Sequence, residues 1–81
     1  MMTRYFFDFL TGDLLSLDDE GLELTGAEAA HEEALGSLAD AIRDVVLQGR
    51  SDQRFAVQVR DDVGEVLEIT AIFGSKILRK Q

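Results

Sequence analysis

Apolar residues recur every three to four positions between Thr25 and Gln48, a spacing that predicts one long amphipathic helix. The stripe and its flanks are made of Ala27, Ala30, Ala34, Leu35, Leu38, Ala41, Ile42, Val45 and Val46. Thr25 and Glu28 have the spacing of a capping box, so we expect Thr25 to begin the helix. Gly49 follows Gln48 and fits the left-handed cap that ends many helices. The alanines of the stripe favour a close approach to a sheet.

Segments of alternating apolar and polar residues lie on both sides of the helix and predict strands. Residues 3–10 form an aromatic-rich strand, and residues 14–17 a short strand that returns beside it. After the helix, residues 54–60 and 65–73 form a second hairpin across a turn with a glycine bulge. The order β-β-α-β-β predicts an α+β fold: a four-stranded, mainly antiparallel sheet with one amphipathic helix packed on one face.

The two faces of the predicted sheet differ in composition. The face toward the helix is apolar and consists of Tyr5, Phe7, Phe9, Phe55, Val57, Val59, Leu67, Ile69, Ala71 and Phe73. The polar residues of the other face, called the outer face below, are Arg4, Asp8, Arg54, Arg60, Glu68 and Thr70. The apolar residues of the outer face are Phe6, Leu10, Ala56, Val66 and Ile72. A solvent-facing surface that is half apolar favours a protein contact, and a second copy of the chain is one candidate.

Charge is distributed unevenly along the chain. Between Tyr5 and Ile42 there is no lysine or arginine, although the formal net charge of the whole chain is −8. The carboxylates of this stretch are Asp8, Asp13, Asp18, Asp19, Glu20, Glu23, Glu28, Glu32, Glu33 and Asp40. This concentration of negative charge argues against nucleic-acid binding by the first half of the chain and favours contact with water or with a basic partner there.

Length and composition predict one domain, with a folded core over residues 3–73 and a basic tail over residues 74–81. The tail places Lys76, Arg79 and Lys80 around Ile77 and Leu78. There is no cysteine, which is compatible with a reducing cytosol. No apolar run approaches the roughly 18 residues of a membrane helix. We therefore expect a cytoplasmic protein that does not bind membranes.

Two groups contain residue types that can support chemistry, an acidic loop and a histidine. In the loop Asp18-Asp19-Glu20-Gly21, Gly21 fits the glycine of an EF-hand loop, but the final ligand position would be Ala27, where a glutamate is needed. His31 is the only histidine, and no nucleophile or second ligand accompanies it in sequence. The sequence therefore predicts no catalytic, cofactor-binding or metal-binding residue. A small metal-dependent hydrolase that uses His31 and the loop is the last of the alternatives.

Several segments together resemble a known family. They are the Arg-Tyr-Phe-Phe start (residues 4–7), the Asp-x-Glu-Gly-x-Glu-Leu segment (residues 18–24), the Ala/Glu-rich helix and the Val-Arg-Asp-x-x-Gly hairpin (residues 59–64). This combination is similar to an uncharacterised family of short bacterial domains of unknown function. The resemblance implies no activity, ligand or catalytic residue. The chain has Asp8 where a histidine is frequent in that family.

A second resemblance covers residues 5–46. The acidic-glycine loop, the helix start at Thr25, Glu28 and Ala29, and the following residues 33–35 are similar to the antitoxin domain of the HicB type. Those domains neutralise a small basic ribonuclease, so the resemblance implies an acidic inhibitor. Their Pro-Gly-Cys-type segment is not found before the helix, and residues 47–81 do not resemble their DNA-binding domain.

Taken together, these features predict a small acidic, non-catalytic domain that binds protein and forms a homodimer. The expected contact residues are Phe6, Leu10, Ala56, Val66 and Ile72 on the outer face, and Asp18, Asp19, Glu20, Glu32, Glu33 and Asp40 on an acidic surface. The alternative within the same class is an antitoxin-like inhibitor of a small basic ribonuclease.

Overall fold

A computed structural model describes residues 1–50 and 52–79 of the chain. Its elements are β1 (Thr3–Thr11), β2 (Leu14–Ser16), β3 (Leu22–Leu24), α1 (Ala27–Leu47), β4 (Gln53–Arg60) and β5 (Glu65–Phe73). Ser51 of the predicted loop and Lys80 and Gln81 of the predicted tail lie outside the described residues. Within the described part, no helix is long and apolar enough to cross a membrane.

The strands form an antiparallel sheet in the order β2-β1-β4-β5. The short strand β3 also pairs with β1, with Thr3 opposite Leu24 and Tyr5 opposite Leu22. Two short strands thus flank β1 on the side opposite to β4, one after the other. The predicted α+β fold is confirmed, with one strand more than expected. Leu22–Leu24 is too short to show an alternating pattern in sequence and becomes a strand because β1 offers it free backbone groups.

Helix α1 packs on one face of the sheet and contacts β3, β4 and β5. The core consists of Tyr5, Ala30, Ala34, Leu38, Val45, Phe55, Val57 and Val59, with Phe7, Phe9, Leu67, Ile69, Ala71 and Phe73 packed against it. The predicted inner face is therefore confirmed. Ala30 and Ala34 have no exposed surface, so small side chains line the part of the helix that lies closest to the sheet.

The caps predicted for the two ends of α1 have different outcomes. The predicted capping box is wrong: Gly26 is the N-cap residue, and no side chain caps the helix. The helix begins after Thr25 because the carbonyl of Gly26 already accepts the first helical bond, from the N–H of Ala30 at 3.1 Å. The C-terminal cap is confirmed, since Gly49 has a φ of +73°.

That C-terminal end is a Schellman motif. The N–H of Gly49 donates to the carbonyl of Val46 at 3.0 Å, and the N–H of Arg50 donates to the carbonyl of Val45 at 3.0 Å. Two carbonyls that the end of a helix would otherwise leave without partners are thereby satisfied. The helix accordingly ends at a defined residue and leads into β4.

The second hairpin turns over residues 61–64, as predicted. The carboxylate of Asp61 accepts the N–H groups of Val63 at 2.9 Å and Gly64 at 3.0 Å. The register shifts beside the turn, because Val59 pairs with Leu67 and Arg60 with Glu65. The additional residue in β5 is Val66.

Candidate functional site

The outer face of the sheet carries the predicted apolar contact residues, and helix α1 covers the other face. Ile72 is 82% exposed, whereas Ala56 is only 4% exposed between its neighbours. Phe6 and Leu10 are half-buried. Val66 departs from the predicted set because it packs against the core; the register shift beside the turn breaks the simple alternation of the strand.

A groove runs over the middle of the outer face. It is lined by Leu10, Gly12, Asp13, Arg54, Ala56, Gln58, Glu68 and Thr70. Within it, the side-chain amide of Gln58 donates to the carboxylate of Glu68 at 3.0 Å. This face therefore mixes hydrogen-bonding groups with short apolar side chains.

Asp8 was expected to face solvent on the outer face, and this expectation is wrong, because Asp8 is only 6% exposed. The Nε of Arg60 donates to its Oδ2 at 2.8 Å, and Nη2 of Arg60 donates to its Oδ1 at 3.3 Å. The main-chain N–H of Asp18 donates to the same Oδ1 at 3.0 Å. A bidentate arginine and a backbone donor therefore allow this carboxylate to be buried in its charged form.

Asp18 is the second carboxylate of this cluster, and its oxygens serve the backbone. Oδ2 accepts the N–H of Phe7 at 3.0 Å. Oδ1 accepts the N–H groups of Glu20 at 3.0 Å and Gly21 at 3.1 Å. The main-chain carbonyl of Asp18 accepts Nη2 of Arg60 at 2.7 Å. The loop between β2 and β3 is thereby fixed against the middle of β1.

These bonds set the charge states of the cluster. The hydrogen bond from Arg60 holds the pKa of Asp8 below its usual 3.8. Burial raises the pKa of Asp18, but the N–H groups of Phe7, Glu20 and Gly21 outweigh it, so that the net pKa lies below 3.8. The bond to Asp8 raises the pKa of Arg60 further above its usual range. All three groups are therefore charged near neutral pH.

Gly21 allows this loop to approach β1 closely. Its φ is +74°, and a Cβ at this position would lie 2.8 Å from Cγ of Arg4 and 3.0 Å from the carbonyl oxygen of Tyr5. Arg4 donates through Nη1 to the carbonyl of Glu20 at 2.7 Å and pairs through Nη2 with Glu23 at 3.1 Å. The glycine is thus required both by the backbone conformation and by the space available.

The guanidinium of Arg60 also lies over the ring of Phe6, 4.7 Å from its centroid. This is the distance of a cation–π contact. Phe6 is consequently held from one side by a structural arginine, and only part of its ring remains available to a partner.

The predicted acidic residues fall into two groups. Asp18 is half-buried and its carboxylate is engaged as described, whereas Asp19, Glu20, Glu32, Glu33 and Asp40 are exposed. Glu32 borders an open hollow on α1 together with Ala27, Glu28 and His31. Among residues 1–50 and 52–79, no group of three or more histidine, cysteine or acidic residues is placed to hold a metal ion.

The cluster of Asp8, Asp18 and Arg60 is the arrangement that sequence analysis missed. Its members lie in three separate segments, and a single sequence contains no information on which charges meet. One signal was available in the sequence. Asp18 belongs to the acidic-glycine segment and Arg60 to the hairpin segment, and the family resemblance rests on both. The structure shows that these segments meet at one point of the sheet.

Comparison with known proteins identifies one family. The model of a family described as a domain of unknown function (DUF6894) matches residues 4–73. That range contains the helix, all three members of the cluster and the whole sheet except Thr3. No curated protein and no solved structure matches the chain.

Proposed function

This chain belongs to the DUF6894 family, a domain of unknown function, and from its surface we propose that the protein is a small acidic domain that binds a basic protein. It acts in the cytoplasm as a homodimer and performs no catalysis of its own. The acidic surface of α1 supplies attraction and orientation, and the outer face supplies apolar contact. The more specific version of this proposal is that the protein inhibits a small basic ribonuclease.

The observation that carries the proposal is the state of the acidic side chains on α1. Glu32, Glu33 and Asp40 are exposed, and none of them forms an ion pair with a described residue. By contrast, the carboxylate of Asp8 is paired with Arg60, and that of Asp18 is engaged by backbone N–H groups within the fold. The charge that remains uncompensated therefore points outward, where it accelerates and orients association with a basic protein.

The outer face adds the apolar component. Ile72 is exposed, and the groove beside it offers the side chains of Arg54, Gln58 and Glu68. Protein interfaces commonly combine an apolar centre with a polar rim of this kind. The groove supports binding of a protein rather than of a phosphate-rich ligand, because its lining has two carboxylates, Asp13 and Glu68, against one arginine, Arg54.

The test is quantitative capture of partners from the native host by two variants with equal charge change. Glu32→Lys reverses one charge of the acidic surface, and Asp62→Lys reverses one exposed acid in a turn. We expect the first variant to lose a basic partner that wild type and the second variant retain. Equal capture by both variants, or loss with both, would refute a specific acidic surface. Recovery of a small basic ribonuclease would identify the inhibitor form.

A further inference from the structure

One edge of the sheet is free. Strand β5 pairs with β4 on one side, and among residues 1–50 and 52–79 no strand pairs with its other side. Its sequence, Glu-Val-Leu-Glu-Ile-Thr-Ala-Ile-Phe, contains no proline or lysine. A long edge without such protective residues is a template for another strand, because its N–H and carbonyl groups lack partners.

The tail that follows β5 is also exposed. Residues 74–79 belong to no helix or strand, and Ile77 and Leu78 are 77% and 86% exposed. Lys76 and Arg79 form no ion pair with a described residue.

We propose that the free edge of β5 and this tail form the contact between two copies of the chain. The strands run antiparallel about a two-fold axis at Ile72, which joins the two sheets into one. This assigns the homodimer of the proposed function to a specific surface and leaves the acidic surface of α1 free.

Charge complementarity selects this register. With Ile72 opposite Ile72 of the second copy, Glu68 lies opposite Lys76 of the second copy. Beyond the additional residue Val66, Glu65 lies near Arg79 of the second copy. Both pairs occur twice because the contact is symmetric. Opposite charges at directly facing positions stabilise a strand pair, whereas like charges destabilise it.

In the same register, an exposed apolar side chain of the tail would pack against the second copy. Leu67 packs against the core and therefore faces α1. Ile77 of the second copy would lie opposite Leu67, and paired residues point to the same face of a sheet. It would thus extend the apolar inner face beneath the side of the helix.

That side of the helix is itself apolar. Leu35, Ile42 and Val46 share one flank of α1, since they are seven and four residues apart. Leu35 and Val46 are 44% and 48% exposed. Strands β3 and β4 are both antiparallel to β1 and hence parallel to each other. The connection from β3 through α1 to β4 is therefore a crossover between parallel strands, and such crossovers are right-handed. This handedness turns the flank with Leu35, Ile42 and Val46 toward β5.

The test uses charge reversal at Glu68 and Lys76, with the dimer dissociation constant measured by analytical ultracentrifugation. We expect Glu68→Lys and Lys76→Glu each to weaken the dimer by about tenfold or more, because each places like charges opposite one another. The double variant Glu68→Lys/Lys76→Glu should restore it. Loss of dimer without restoration in the double variant would overturn the register.

A thiol cross-link tests the position of the axis. The chain contains no cysteine, so Ile72→Cys introduces a single thiol that should oxidise to a covalent dimer with its own copy. Thr70→Cys lies on the same face but away from the axis, and should form far less.

The outcomes separate this inference from the proposed function. A dimer in which Thr70→Cys cross-links as well as Ile72→Cys overturns the edge contact but retains the homodimer. A wild-type chain that remains monomeric at the highest soluble concentration overturns both the contact and the homodimer, while binding of a basic partner is judged separately by the charge-reversal variant of α1.

Discussion

The carboxylate of Asp18 accepts the main-chain N–H of Phe7 at 3.0 Å. Phe7 lies in the middle of β1, between the segments of β1 that pair with β3 and β2. A side chain thus satisfies the backbone group at the place where neither short strand reaches. The acidic loop thus completes the edge of the sheet.

Removing this carboxylate should destabilise the fold. Asp18→Ala leaves three backbone N–H groups without their acceptor, and we expect the free energy of unfolding to fall by about 1 to 3 kcal/mol. Asp18→Asn keeps one oxygen as an acceptor and should lose less. Urea denaturation measures both. The control is Asp19→Ala at the exposed neighbour, which should remain within about 0.5 kcal/mol of wild type.

The pair of Asp8 and Arg60 predicts a specific pH dependence. The folded pKa of Asp8 lies below 3.8, so its charged form stabilises the fold above that pH and the contribution is lost as the pH falls through the folded pKa. We expect Asp8→Asn to lower the free energy of unfolding at pH 7 by about 1 to 2 kcal/mol, toward the low end for a charged hydrogen bond. The side chain of Arg60 is 38% exposed, which weakens the interaction by solvent screening.

Urea unfolding at a series of pH values checks this sign. The difference between wild type and Asp8→Asn should be constant from about pH 5 to pH 8 and should shrink below about pH 4. Asp13→Asn, at an exposed turn position, is the control for general charge effects. A difference that grows on acidification would contradict the assigned role of the pair.

Two glycines with the same backbone angle should respond differently to substitution. Gly21 and Gly49 have φ values of +74° and +73°, but only Gly21 has neighbours within 4 Å of an added Cβ. Gly49→Ala should cost about 1 to 2 kcal/mol, the cost of a left-handed non-glycine residue. Gly21→Ala should cost at least about 1 kcal/mol more, because the carbonyl of Tyr5 is part of the sheet and cannot move aside. Thermal and urea unfolding of the two variants measure the difference, and equal costs would show that the loop is free to shift.

The close contact between helix and sheet can be tested with alanines. Ala34 is completely buried, so Ala34→Leu forces extra volume into the core and should lower the free energy of unfolding by about 1 to 3 kcal/mol. Ala39 is exposed on the same helix, and Ala39→Leu should be nearly neutral. If circular dichroism and denaturation show that both variants are as stable as wild type, the helix does not lie against the sheet as described.

The sequence predicted those parts of the fold that depend on local periodicity. The alternation at Phe55, Val57 and Val59 and the stripe from Ala30 to Val45 are repeated signals, and both were confirmed. Gly49 was equally clear, because a helix end that requires a left-handed residue strongly favours glycine.

The parts that were wrong or missed depend on contacts between distant segments. Thr25 and Glu28 matched a capping box by spacing, yet the cap depends on how the chain leaves β3. Asp8 was expected to face solvent, because the alternation along β1 indicates only on which face of the sheet a side chain lies and not whether it is buried. Its burial arises from Arg60, 52 positions later, and from the loop at Asp18. No local pattern contains that pairing.

The unequal edges of the sheet set a limit on how large an assembly can become. One outer boundary is divided into strands of three residues each, β2 and β3, with the Asp18 loop between them, and offers too little continuous backbone for further addition. The opposite boundary is the nine-residue β5. When two chains meet there, each uses its only extended boundary, and both ends of the joined sheet are interrupted. In the proposed dimer, growth would therefore terminate at two chains, and the strand that would otherwise seed fibrils would be covered.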